Sequence, residues 1–277
     1  MSKVWFITGC SKGLGRALSE ELLAKTNSLV VATARDVSTL NTLKKEYGDR
    51  VLTLMLDVKN SDHIKAAVDE ALQKFSRIDV LVNNAGYGLG GAVEECSMQS
   101  ILNVFDVNVF GLMEMTKAVL PIMRSQNYGH IFNISSIAGL VASAGVGIYN
   151  STKYAVEGLS EALSMEVKTF GINVTIIEPG PFRTDFLGDS LEVAPALSAY
   201  GDTAAAQARN YRHQSHNKQN GDPVKAAQII IQLAAQENPP LRMPLGNVAM
   251  DKIYLKMESL KEELTKFEET SRSADYC

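Results

Sequence analysis

Four short apolar runs, at residues 4–8, 29–33, 51–56 and 79–82, are separated by segments with helical apolar spacing. None of the runs alternates apolar with polar residues. A strand with one face in water alternates, whereas a strand covered on both faces is apolar throughout. Strand, helix, strand order then demands right-handed crossovers, and so a parallel sheet with helices on both faces. Residues 14–25, 38–47 and 61–75 carry the helical pattern that supplies the crossovers.

The second half extends the pattern. A helix is expected over about residues 98–123, ending near Pro121. A strand over 129–134, a helix over 147–170 and a strand over 172–177 follow. Past Pro179-Gly180 the regularity fails. Residues 181–222 are polar and rich in Ala, Gln and Asn, without a strand signal, and read as helical pieces and loops. A helix from Pro223, an edge strand near 239–244 and a final helix complete the chain. That last helix has Ile253, Met257, Leu260, Leu264 and Phe267 on one face. No linker, charge block or repeat divides the sequence, so residues 1–277 are expected to form a single domain. The fold class expected is α/β: a Rossmann-type doubly wound parallel sheet of about seven strands, with a helical lid insert and a C-terminal helix.

The 277 residues are 45% hydrophobic and 21% charged, with net charge -4. Without a basic excess, nucleic acid is not expected as a partner. Three scattered cysteines, no signal-peptide core and no apolar stretch long enough to cross a bilayer predict a cytoplasmic protein without a membrane partner. His213 and His216 are three apart, but no third ligand accompanies them, so no metal is expected.

Chemistry-bearing residues lie at the ends of the expected strands. Gly9, Gly13 and Gly15 form a turn after the first strand that opens a helix. Backbone amides at a helix start can hold a phosphate, and glycines allow close approach. Tyr149 and Lys153 are four apart on a helix and share a face, so the ammonium is expected to lower the phenol's pKa. Ser136 follows a strand end, where sites form in parallel sheets. Asn108 is a polar residue within an apolar helical run.

In their order and spacing, the glycine turn, Asp57, Asn83-Asn84-Ala85-Gly86, Asn108, Ser136, Tyr149, Lys153 and Pro179-Gly180 resemble the short-chain dehydrogenase/reductase family. The type is the one with TGxxxGxG and YxxxK motifs, and the likeness is greatest to 17β-hydroxysteroid-dehydrogenase-like ketoreductases. The resemblance is close over residues 3–185 and looser to about 245. It implies that Tyr149 is the acid/base and that Lys153 tunes it and holds the nicotinamide ribose. It also implies that Ser136 bonds the substrate carbonyl and that Asn108 helps hold a relay water. Gly9, Ser11, Lys12, Gly13, Leu14, Gly15, Asp57, Val58, Asn84, Ala85, Gly86, Pro179, Gly180, Phe182 and Thr184 would contact the dinucleotide.

Cofactor choice turns on the end of the second strand, Ala32-Thr33-Ala34-Arg35-Asp36. The family's acidic, NAD-selecting position falls on Ala34. Arg35 is free to face a 2′-phosphate, Asp36 reads as a helix N-cap, and Lys12 adds a second cation. NADP(H) is therefore the expected cofactor. A lid over about 185–222 would bring Phe182, Phe186, Leu187, Leu191, Val193 and Leu197 to the substrate. Tyr87, Leu89 and Ile137 would join them, which suits a small hydrophobic ketone or alcohol. NADP(H)-dependent reduction is the leading function. NAD(H)-dependent alcohol oxidation and a non-catalytic NADP-binding regulator are the alternatives. The apolar helices near 101–123 and after Tyr149 suggest a homodimer or homotetramer.

Overall fold

The computed structural model describes residues 2–215 and 218–276, the side chains of residues 213 and 214 excepted. His213 and His216 therefore lie outside the described side chains. The elements run β1 (Val4–Ile7), α1 (Gly13–Lys25), β2 (Leu29–Ala34), α2 (Asn41–Tyr47), β3 (Val51–Met55), α3 (Ser61–Phe75), β4 (Val80–Asn83), β5 (Gly88–Gly90), α4 (Met98–Phe105), α5 (Leu112–Gln126) and β6 (Gly129–Ile134). They continue with α6 (Gly147–Val167), β7 (Ile172–Pro179), β8 (Leu191–Val193), α7 (Ala204–Ser215), α8 (Pro223–Leu233), β9 (Arg242–Leu245), α9 (Asn247–Lys266) and α10 (Glu268–Arg272).

Seven strands form one parallel sheet in the order β3-β2-β1-β4-β6-β7-β9. Alternate residues of each strand feed opposite cores. Trp5 and Ile7 point to the side of Leu18, Leu22 and Ile230, where α1 packs on α8. Val4 and Phe6 point to the side of Val68, Met115 and Val119, from α3 and α5. This two-sided burial is why the strands read as unbroken apolar runs. The chain reverses winding between β1 and β4, and a crevice opens there at the strands' carboxyl ends.

Three expectations need correction. The helix expected over 98–123 is interrupted by a π-helical segment, Asp106–Gly111, between α4 and α5. Pro121 does not end it. Pro121 sits inside α5, which runs on to Gln126 and closes at Asn127 in a left-handed conformation. A proline removes one ladder bond, and the packing of Met115, Val119 and Met123 in the core carries the helix past it. Finally, the region after Pro179 does contain a strand. β8 pairs in parallel with β5 as a separate two-stranded sheet. Three residues with two exposed side chains carry too little pattern to be read in advance.

Candidate active site

The crevice is a cavity of about 1110 Å3 above the carboxyl ends of β1, β4, β6 and β7. On one side lies the glycine turn. Gly9 and Gly13 have φ of 73° and 64°, the left-handed region that disfavours a side chain. Thr8 stitches this turn to the strand beside it: its hydroxyl accepts from the N–H groups of Asn84 and Ala85, both at 2.9 Å. The Asn84 amide donates to the carbonyls of Thr8 and Gly9, at 2.8 and 2.9 Å. α1 begins with no side-chain cap, because Lys12 stands at its N-cap. Its first N–H groups thus remain available where anionic oxygens are stabilised. That cradle fits the diphosphate of a dinucleotide.

β2 ends at the cavity with Ala34, and Arg35 follows it. Arg35 is exposed and, among the described residues, enters no ion pair. Asp36 turns away: its carboxylate accepts from the Ser38 N–H (3.0 Å) and hydroxyl (2.7 Å), capping the next turn. Lys12 is engaged differently from the expectation. Its ammonium faces Asp189 at 3.4 Å and Asp185 at 4.0 Å, both from the lid.

Opposite the glycine turn stand Ser136, Tyr149 and Lys153. The extended backbone at Ser136 starts a short turn, and its hydroxyl accepts from the Ala138 N–H at 3.1 Å. Tyr149 and Lys153 project from one face of α6, with the ammonium 5.8 Å from the ring centre. The Lys153 ammonium donates to the Ile134 carbonyl at 2.9 Å, which ties α6 to the end of β6. Phe186 of the lid covers the phenol, ring centres 5.5 Å apart.

The electrostatics of this pair differ from the sequence-based expectation. Tyr149 is not lowered. Burial pushes it up to about 12, with the Ser136 hydroxyl pulling the other way. Burial is also what lowers Lys153 to about 8, against the opposing pull of Glu157 one turn on. Desolvation disfavours both charged forms and is the leading cause of each shift.

Every residue named above for cofactor, catalysis or substrate lines this cavity except Gly15, Asn108, Leu89, Val193 and Leu197. Gly15 acts from beneath, where a Cβ would run into Asn84 and the Gly9 carbonyl. Asn108 lies in the π-helical segment with its amide spent on neighbours. It accepts from the Tyr87 N–H (3.0 Å) and donates to the Tyr87 carbonyl (2.9 Å) and the Thr152 hydroxyl (3.1 Å). It fixes the loop after Gly86 and the α6 turn between Tyr149 and Lys153. Among the expected lid contacts, Val193 and Leu197 face solvent instead, and Leu89 is buried in a small core with Val104.

The lid is held by more than apolar contact. The β5–β8 ladder joins it to the loop after β4. Buried Glu95 accepts from the Leu197 N–H at 3.0 Å and from Arg209 at 2.5 Å. Sequence reading missed Thr8, Glu95 and Arg212. Arg212 lines the cavity and donates to the Gly145 carbonyl at 2.8 Å. Thr8 was legible as the residue before Gly9. Glu95 and Arg209 are too far apart in sequence to signal one another.

The short chain dehydrogenase family model matches residues 3–193. An oxidoreductase of Botryotinia fuckeliana, BOA17, is 39% identical over 98% of both chains. A short-chain dehydrogenase from Streptomyces avermitilis covers each chain fully at 39% identity, with a TM-score of 0.93. A Burkholderia phymatum member in complex with NAD gives 28% identity over 95% of both chains and a TM-score of 0.82. A metagenomic member in complex with NADP gives 26% identity over 88% of this chain and 97% of its own, with a TM-score of 0.69. With the doubly wound sheet, the glycine turn and the Ser136, Tyr149, Lys153 wall in place, the chain belongs to the short-chain dehydrogenase/reductase family of oxidoreductases.

Proposed function

We propose that this protein is an NADP(H)-dependent reductase of small hydrophobic ketones, with Tyr149 as the proton donor. The observation that carries this reading is the convergence of Ser136, Tyr149 and Lys153 on one wall of a cavity whose other wall is the uncapped glycine turn. The bound dinucleotide would supply the hydride. Gly9, Gly13 and the start of α1 would hold its diphosphate. Asp57, Val58, Asn84, Ala85 and Gly86 would line its adenosine end, and Pro179, Gly180, Phe182 and Thr184 its nicotinamide end.

The remaining chemistry belongs to the side chains. Ser136 aims a hydroxyl at the substrate oxygen and favours the charge that develops there. Tyr149 gives that oxygen a proton. The phenol is protonated at neutral pH, the state a proton donor needs. Lys153 offsets the negative charge left on the phenol. Phe186 and Leu191 of the lid, with Tyr87 and Ile137, give the substrate an apolar surround.

For NADP(H) over NAD(H), support comes from Arg35 standing at the cavity while Asp36 is occupied as a cap. The test is NADPH consumption across a panel of ketones, with Tyr149→Phe as control. The variant should lose at least about a hundredfold in rate while still binding NADPH. Wild-type turnover by the variant would exclude Tyr149 as the acid, and a panel without turnover would exclude the reductase reading.

A further inference from the structure

α9 leaves the body soon after it starts. Ala249 is buried beside Gly180, whereas from Asp251 onward every residue of α9 is exposed except the half-buried Ile253. The exposed residues include Met257, Leu260 and Leu264, at 61%, 45% and 62% of their surface. Among the described residues nothing covers this face.

The spacing of the apolar residues says what kind of neighbour the helix is built for. Met250, Ile253, Met257, Leu260, Leu264 and Phe267 are separated by steps of three and four in strict alternation. A helix that packs on a globular body carries a wider stripe. A stripe with a period of 3.5 residues is the seam of a two-helix coiled coil. A membrane surface fits less well. Helices that lie on lipid carry an excess of Lys and Arg on the polar face, whereas residues 251–272 hold acidic and basic groups in near balance.

The charges beside the seam select the partner and its direction. Lys256 and Glu263 flank one side of the seam and Lys261 the other. A parallel pair would set Lys256 against Lys261 of the second helix. An antiparallel pair sets Lys256 of each copy against Glu263 of the other. It also stacks Met257 on Leu260 and Ile253 on Leu264, in both directions. Only the antiparallel arrangement brings opposite charges together, and flanking charges of this sort fix orientation in coiled coils. We propose that α9 pairs with α9 of a second copy as a short antiparallel coiled coil, closed about a two-fold axis between Met257 and Leu260. Val248 and Lys252, at its root, line the cavity. The pair would therefore set two active sites at its two ends.

Light scattering of the full chain over a range of concentrations tests this. Leu260→Lys puts a charge at the two-fold centre and should halve the mass, with helix content by circular dichroism retained. Lys256→Glu turns two attractive pairs into two repulsive ones and should raise the dissociation constant about tenfold. Adding Glu263→Lys to that variant should restore it. Three outcomes overturn the proposal: a wild-type monomer, a mass unchanged by Leu260→Lys, or tighter association by Lys256→Glu, the mark of a parallel pair. A chain that is monomeric alone but pellets with phosphatidylcholine vesicles would put lipid on this face instead.

Discussion

Burial makes Lys153 hold its proton less firmly than an ordinary ammonium. With its value near 8, it is charged below that pH and neutral above it. Binding of NADPH to the free protein should therefore weaken as pH rises through about 8, since one donor is engaged by the Ile134 carbonyl and only the ammonium then has two left for a ribose. A fluorescence titration flat from pH 7 to 9.5 would remove Lys153 from cofactor binding. Arg35 acts at the other end of the dinucleotide. Arg35→Ala should weaken NADPH by about 10- to 100-fold and leave NADH nearly unchanged, the loss expected for one charge-assisted bond to phosphate. Equal weakening of both would mean that Arg35 serves neither selectively. Gly15 makes its contribution by lacking a side chain. Gly15→Ala drives a methyl into the Gly9 carbonyl and Asn84 and should cost about 1–3 kcal/mol, read from chemical denaturation. The glycines, Tyr149 and Lys153 were legible in the sequence because motif spacing encodes them. The direction of the Tyr149 shift was not, because desolvation depends on the lid above it.

At the level of elements, β7, β9 and α6 meet over an unusual group of charges. Glu157 and Glu178 are buried and share Arg242, whose Nε lies 3.4 and 3.7 Å from their carboxylates. Burial and the neighbouring Glu157 push Glu178 up to about 8. Between the ordinary carboxylate value and about 8, the folded chain holds a proton that the unfolded chain has released. Stability from this group is thus full in acid and lost as pH rises through that window. Glu178→Gln should flatten the stability profile between about pH 5 and 8, measured by denaturant midpoints, and an unchanged slope would place the proton elsewhere. The strands and helices on either side were readable from apolar runs. The π-helical turn at Asn108 and the strand β8 were not, since each depends on a partner remote in sequence: Tyr87 and Thr152 for the first, Gly88–Gly90 for the second.

Across the whole molecule, Ser136, Tyr149 and Lys153 stand on the turn after β6 and on α6, and a separate segment after Pro179 closes over them. Glu95 anchors that segment by accepting from Ala92, Leu197 and Arg209 together, and those bonds hold its carboxyl below the usual range. Arg209→Ala should loosen the lid without touching the reacting groups, raising KM severalfold while kcat changes little. A fall in kcat alone would show that Arg209 acts on chemistry.

The pairing of β8 with β5 has one more result. A ladder of main-chain bonds asks almost nothing of the side chains that hang from it, provided Gly88 and Gly90 stay bare enough for Leu191 and Arg212 to approach. The lid's attachment and its selectivity are therefore written in different atoms. Side chains between Asp185 and Glu192 can change while the β5–β8 ladder beneath them keeps its register, which makes this short stretch the natural place to alter what the cavity accepts.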